Sequence, residues 1–301
     1  MKTSRPPAAT REAPGRGTAD LFETVPLRDQ EFQRLSDLIH RKAGIYLRAE
    51  KKELLKARLG KILRQRGIRR FSHYYRLVVE DETGAELAAL LDAISTNLTQ
   101  FFRERRHLDF LTGEAIPEIL RLRRLDRDRT LRIWSAGCAS GEEPFSLVIA
   151  CLEAKVLPPT WRLEVQATDL STRVLAQAER GIYDIQKTTP LPRHVLHRYF
   201  QKGIGRYDGY VRVKETVRRH VRFLRHNLME PFPWRDPMDI IFCRNVMIYF
   251  DKPTQERTVR RFHACLRPGG FLFVGHSESL IGTDHPYRYV RPTVYRKEPA
   301  A

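Results

Sequence analysis

The stretch from Leu131 to Ser146, LRIWSAGCASGEEPFS, constrains the fold more than any other part of the chain. An apolar run passes through two glycines, Gly137 and Gly141, into an acidic pair, Glu142 and Glu143, that opens a helical pattern. Strand, small-residue turn and helix form the nucleotide-holding corner of an open α/β sheet. Glycine lacks a Cβ, so the backbone there can approach a ligand at the carboxyl end of the strand. The spacing is G-x-x-x-G rather than G-x-G-x-x-G. On this stretch alone, a cofactor cradle and a merely tight corner are both open.

Beyond Ser146 the α/β alternation continues. A helix is expected near 143–155, and Leu163–Ala167 is a second strand ending in Thr168–Asp169. An acid at that strand end can accept both hydroxyls of a ribose; it can also cap the helix expected over Ser171–Gly181. Met238–Cys243 (MDIIFC) is a strand ending in Arg244–Asn245. A helix near 254–266 comes next, and Arg267–Gly270 (RPGG) should end it in a left-handed turn before the strand Phe271–His276. Tyr287–Tyr295 reads as a closing hairpin. The alternation predicts a doubly wound, mostly parallel sheet over 131–301. Residues from about Thr188 to Arg225 interrupt it with GIGRYDGYVRV and VRFLR, which read as a small antiparallel β-subdomain. Its edge is either decorative or able to hold a partner.

The amino-terminal third is helical. Residues 1–25 are rich in Pro, Ala, Arg, Thr and Gly without an apolar period, as in a disordered tail. Over 26–95, Phe32, Leu35, Leu38 and Ile39 recur at helical spacing, and Leu55, Leu59 and Ile62 form a second stripe. Arg58, Lys61 and Arg64 lie opposite that stripe, and between Arg34 and Arg70 thirteen Lys or Arg face three acids. That density predicts a docking surface for something negative as an alternative to a solvated face. Residues 96–130 are a linker and further helix, broken at Pro117, in which Asn97, Thr99 and Arg103 surround the aromatic pair Phe101 and Phe102.

With 301 residues there is ample core for one large or two smaller domains. No apolar run approaches the ~18–20 residues that span a bilayer, and no secretory leader pattern opens the chain. Cys138, Cys151, Cys243 and Cys265 lack C-x-x-C spacing, which argues for reduced thiols, a cytoplasmic location and no metal site. Fifty-four Lys and Arg against 36 Asp and Glu give a net charge of +18, and such an excess calls for a polyanionic partner.

The motifs TNLTQFFRE, WSAGCASGEEPFS, ATDLSTRVLAQAERGIY, HNLMEP, DIIFCRNVMIYFDKPTQERTVRRF and LRPGGFLFVGHSESL occur in one order. That ordered set closely resembles the chemotaxis receptor methyltransferases, the CheR family of S-adenosylmethionine-dependent protein-glutamate O-methyltransferases. The resemblance runs from about residue 28 to 297. It implies a helical receptor-docking domain, a class I (Rossmann-like) methyltransferase domain and an inserted three-stranded β-subdomain. It also implies methyl esters formed on glutamates of chemoreceptors for sensory adaptation. Asn97, Thr99 and Arg103 would line S-adenosylmethionine from the linker, Glu143 would sit in the glycine turn, and Asp169 would hold the ribose. Asn227 and Leu228 would flank the adenine, with Arg244 and Asn245 completing the pocket. Glu142 is expected to be a solvated helix-start charge. Arg103 and Tyr249 are the expected catalytic pair, Arg103 positioning a carboxylate and Tyr249 orienting the acceptor oxygen. The chemoreceptor helical bundle would dock on Arg58, Lys61 and Arg64, and a receptor carboxyl-terminal tether could add a strand to the β-subdomain near Val211–Val213. The competing reading is a nucleic-acid methyltransferase using the basic amino-terminal domain. No N-P-P-aromatic motif supports it, and Cys243 is not in a Pro-Cys context.

Overall fold

A computed structural model describes residues 25–299. The tail expected over 1–25 lies, but for Val25, outside the described residues. Four helices come first: α1 (Asp29–Ala43), α2 (Lys52–Gln65), α3 (Phe71–Glu80) and α4 (Ala85–Ile94). Their apolar stripes meet in one core containing Phe32, Leu35 and Ile39 of α1, Leu59 and Leu63 of α2, Phe71 and Tyr74 of α3, and Leu90 and Leu91 of α4. Each stripe has the 3.6-residue period that puts one helix face inward. Next, α5 (Arg105–Phe110), a π-helical turn over Leu111–Ala115 and α6 (Ile116–Leu122) succeed one another directly. The break expected at Pro117 does not occur. Pro117 stands in the first turn of α6, where a missing backbone donor is tolerated.

The remainder is built on β1 (Thr130–Ala136), α7 (Glu142–Ala154), β2 (Arg162–Asp169), α8 (Thr172–Arg180), β3 (Ile182–Asp184), α9 (Arg193–Tyr199), β4 (Phe200–Lys202), β5 (Tyr210–Val213), α10 (Glu215–Arg218), β6 (Val221–Arg225), β7 (Met238–Cys243), α11 (Lys252–Cys265), β8 (Leu266–Val274), β9 (Arg288–Arg291) and β10 (Val294–Arg296). Seven strands form one sheet in the order β6-β2-β1-β7-β8-β10-β9, and β3-β5-β4 form a separate antiparallel sheet. The first five strands of the large sheet are parallel; β10 and β9 close it as an antiparallel hairpin. Alternate side chains feed two cores. Leu131, Ile133, Ile240, Phe242, Phe271 and Phe273 pack with α7 on one face. Trp134, Ala136, Ile241, Cys243, Leu272 and Val274 pack with Val259 and Phe262 of α11 on the other. Burial on both faces explains why these strands read as continuous apolar runs.

Two local expectations are corrected. VRFLR belongs to the large sheet and not to the β-subdomain: β6 runs parallel to β2, with Val165 opposite Val221 and Asp169 opposite Arg225. Val221 and Phe223 pack beside Ala167 and Leu175, while Arg222 and Arg225 face solvent along the sheet's edge. The β-subdomain instead starts earlier, at Ile182, which pairs with Arg212. The RPGG turn does not end α11 either. The helix stops where Leu266 turns extended, and Gly269, at φ 82°, lies within β8 beside a register shift.

Candidate functional site

Strand order reverses between β1 and β7, so the loops after these strands diverge and leave a crevice at their carboxyl ends. The helical domain roofs it. Ile45 bridges Phe250, Tyr46 N donates to Tyr249 O at 2.8 Å, and Asn227 Nδ2 donates to Lys42 O at 2.6 Å. The resulting cleft is open to solvent and holds about 970 Å³ of empty space counted out into that solvent. Asn97, Thr99, Arg103, Glu143, Asp169, Asn227, Leu228, Arg244, Asn245 and Tyr249 all line it.

The glycine turn forms one wall. Gly137 has φ 94°, and a Cβ on it would lie 2.3 Å from Val246 Cγ2, so no other residue fits without displacing the loop after β7. Thr168 O accepts from both Gly137 N and Cys138 N, tying the turn to the end of β2. The Cys138 thiol is fully buried, and that burial pushes it well above its usual value. Glu143 is buried at the start of α7. Its Oε1 accepts from Ser135 Oγ at 2.7 Å and its Oε2 from Arg244 Nε at 2.7 Å. Arg244 also donates to Arg103 O at 2.7 Å and lies 3.5 Å from Glu104. Glu104 continues the network, with its Oε2 3.2 Å from His107 Nδ1. Burial pushes the Glu104 carboxyl up, but the His107 hydrogen bond and the Arg244 charge outweigh it and draw it down to about 2. Arg244 thus lies between two carboxylates, so its own buried charge is paired.

Glu142, expected to be solvated, is fully buried. It accepts from Ser140 Oγ at 2.6 Å and from Lys187 Nζ at 2.6 Å. Lys187 comes just after β3, and Tyr183 of β3 donates to Ser140 O at 2.7 Å, so the β-subdomain braces the glycine turn from behind. Neither contact was legible, because both join segments some 45 residues apart.

Asp169 stands at the end of β2, 8% exposed. Its Oδ2 accepts from Ala139 N and its Oδ1 from Ser171 N, each at 2.9 Å. Burial raises its carboxyl above the ordinary 3.8 against the pull of those two amides. The cap of α8 is Ser171, whose Oγ accepts from Val174 N, and not Asp169. Asp169 is left with lone pairs directed by the turn it organises.

From the linker, Arg103 is half-buried and donates to Leu98 O at 3.1 Å. Asn97 Nδ2 is buried without a hydrogen-bond partner. The Asn227 amide is committed elsewhere: beside its bond to Lys42 O, its Oδ1 accepts from Met229 N at 3.0 Å. It clamps the helical roof to the sheet, and Leu228 supplies the apolar surface next to it. Tyr249 is half-buried in a short 3₁₀ turn that lines the cleft. On α2, Lys61 and Arg64 are exposed, whereas Arg58 is partly buried and donates to Ile94 O, to Ser95 O and to Thr96 Oγ1. Arg58 therefore holds the start of the linker that carries Asn97 and Arg103. Sequence reasoning missed Glu104, although it adjoins Arg103 in FFRE, and Glu278, although GHSESL contains it.

A family model described as the CheR methyltransferase SAM binding domain matches residues 97–296, and one described as the CheR methyltransferase all-alpha domain matches residues 30–95. Similar curated proteins include the chemotaxis protein methyltransferase of Klebsiella aerogenes, 40% identical over 292 residues, covering 95% of this chain and 96% of that one. The protein of the same name from Escherichia coli is 38% identical over 276 residues, covering 91% and 93%. Chemotaxis protein methyltransferase 2 of Pseudomonas aeruginosa is 40% identical over 270 residues, covering 88% and 92%. S-adenosylmethionine suits the donor set in the cleft. The Asp169 carboxylate offers acceptors for a diol, Glu143 and the Arg103 guanidinium offer opposite charges for an amino-acid end, and the buried Asn97 amide lacks a partner.

Proposed function

This chain belongs to the CheR methyltransferase family and is an S-adenosylmethionine-dependent methyltransferase of the chemotaxis type; from that premise we propose that its acceptors are glutamate side chains of chemoreceptors, converted to methyl esters. The observation that carries this reading is the position of the basic helix. The helical domain that roofs the cleft through Ala43, Ile45 and Ile94 also carries Lys61 and Arg64 exposed on α2, so a basic surface suited to an acidic protein and the roof of the methyl-donor site belong to one domain.

Bound S-adenosylmethionine supplies a methyl group already activated on a sulfonium. A glutamate carboxylate is ionised at neutral pH, so no general base is required. What this chain has to supply is orientation, which can lower a barrier by roughly 7–11 kcal/mol. In this reading Asp169 holds the ribose hydroxyls, Leu228 covers the adenine, and Glu143 with Asn97 takes the amino-acid end. Thr99 and Asn245 close the cleft around it. Arg103 positions a carboxylate at the mouth, and the Tyr249 hydroxyl orients the acceptor oxygen. Arg244 lines the cleft and completes the pocket, and its pairs with Glu143 and the Arg103 carbonyl hold both in place. The edge expected at Val211–Val213 is not free, because β5 is the central strand and pairs with β3 on one side and β4 on the other. A receptor tail would have to add its strand at β3, next to Tyr183 and the Lys187 that follows it, or at β4.

The deciding experiment offers radiolabelled S-adenosylmethionine with a receptor cytoplasmic fragment or with RNA. Label should appear on the fragment and be released as methanol by mild alkali, as an ester requires. Label on RNA alone, or alkali-stable label on the fragment, would overturn the proposal. Arg103→Ala should lower turnover; unchanged binding and turnover together would remove Arg103 from the site.

A further inference from the structure

The carboxylate of Glu278, in the turn after β8, stands outside the lining of the cleft, yet it organises the loop that forms one of the cleft's walls. Its Oε2 accepts from Asn245 N at 2.7 Å and from Gly275 N at 2.6 Å. Its Oε1 accepts from Val246 N at 2.9 Å and from Ile248 N at 3.1 Å. The residue is 6% exposed, and among the described residues no cation pairs with it. Burial pushes the Glu278 carboxyl above its ordinary value, and the backbone amides that donate to it pull the other way. They favour the carboxylate, to which hydrogen bonds are of the stronger, charge-assisted class.

Three of those amides have no strand or helix partner. They belong to the loop after β7, which enters a left-handed conformation at Asn245, φ 59°. Left without an acceptor, buried amides of this kind would draw the loop toward water. The loop bears on the cleft in three places. Arg244, just before it, pairs with Glu143. Val246 fills the space under Gly137 that a Cβ would need. Tyr249, just after it, lines the cleft. Gly275 completes the device: a Cβ there would come within 2.8 Å of Glu278 Oε2 and 2.7 Å of Asn245 Nδ2.

We propose that Glu278 is a positioning residue for the methyl donor, acting through the backbone of 245–248 to hold Arg244, Asn245 and Tyr249 in register with the glycine turn. The proposal rests on the cleft being the S-adenosylmethionine site and is independent of which acceptor is methylated.

Glu278→Gln keeps the shape but turns one acceptor oxygen into a donor that faces two amides. Calorimetry with S-adenosylhomocysteine should show affinity lower by roughly 10- to 100-fold, the value of about one charge-assisted hydrogen bond. Amide exchange at Asn245, Val246 and Ile248 should accelerate while exchange in the helical domain stays as in the parent. Glu278→Asp, which keeps the charge on a side chain one methylene shorter, should fall between parent and E278Q. Product affinity within threefold of the parent for E278Q would overturn the proposal. So would an affinity loss accompanied by faster exchange throughout the protein, since that is a purely structural role. If E278Q does not fold, E278D is judged by the same two readouts. Because the probe is the product nucleoside alone, failure to esterify a receptor fragment would leave this test intact.

Discussion

Replacing Asp169 with Asn separates cofactor binding from stability. The carboxylate has about four lone-pair sites, and Ala139 N and Ser171 N occupy two of them. Two remain for ribose hydroxyls. An Asn in the same place has one acceptor oxygen, and its amide group must face one of the two backbone donors. At least one hydroxyl loses its acceptor and the other is left with a neutral one. Charge-assisted bonds are worth about 1.5–3 kcal/mol and neutral ones about 0.5–1.5, so the loss amounts to about 2–4 kcal/mol. S-adenosylhomocysteine should bind roughly 30- to 1000-fold more weakly in calorimetry. Folding should change by no more than about 1–2 kcal/mol, because the stranded amide is offset by removal of a buried charge. The pH dependence has a definite sign. Burial raises the Asp169 carboxyl above 3.8 in the fold. Its contribution to folding is therefore complete below 3.8 and lost as the pH rises through the raised value. Binding needs the ionised form, so affinity should fall on acidification at a pH above that of an exposed aspartate, before the fold weakens. D169N should lack that step. Affinity of D169N within threefold of the parent would refute the ribose assignment.

The other perturbations address the roof, the turn and the buried network. Lys61→Glu with Arg64→Glu should cut methylation of a receptor fragment several-fold and flatten its salt dependence while leaving S-adenosylhomocysteine affinity unchanged; unchanged receptor turnover at low salt would dismiss α2 as a docking face. Arg58→Glu should differ by also weakening product binding, since Arg58 holds the carbonyls of Ile94 and Ser95 ahead of the linker. Gly137→Ala should destabilise by roughly 2–4 kcal/mol through left-handed strain and the clash with Val246, and adding Val246→Ala should recover part of that in chemical denaturation. Glu104→Gln should lower stability most above pH 4.5. The difference should fade as the pH drops from 4.5 toward 2, where the parent's carboxylate also protonates; a pH-independent difference would exclude its pairing with Arg244 and His107.

Local pattern carried a large part of this protein. Apolar runs that alternate between two buried faces marked β1, β7 and β8, and the 3.6-residue stripes marked α1 and α2, because burial periodicity is a property of the chain itself. Strand ends are where ligands meet an open sheet, so Asp169 stood out before any coordinates, while Glu143, Arg244 and Asn245 lay at a turn or strand end and took their expected roles from the family resemblance. VRFLR shows the limit: whether five residues join a parallel edge or an antiparallel insertion depends on which strand is left open beside them. Only the folded chain leaves β2 open.

Charge and side-chain commitment were decided by tertiary structure alone. Glu142 and Glu143 are adjacent and chemically identical, yet one is neutralised by Lys187 from the β-subdomain and the other by Arg244 at the end of β7. Arg58 looks like its neighbours Lys61 and Arg64 on a helical wheel, but the linker's carbonyls claim its guanidinium. Glu278 finds its amides in a loop about 30 residues away. By itself the sequence determined the layers, the strand ends and the excess of positive charge, because these arise from periodicity and composition. The pairing of each buried charge is set by distances between segments remote in the chain, and those distances exist only once the two domains have closed over the sheet.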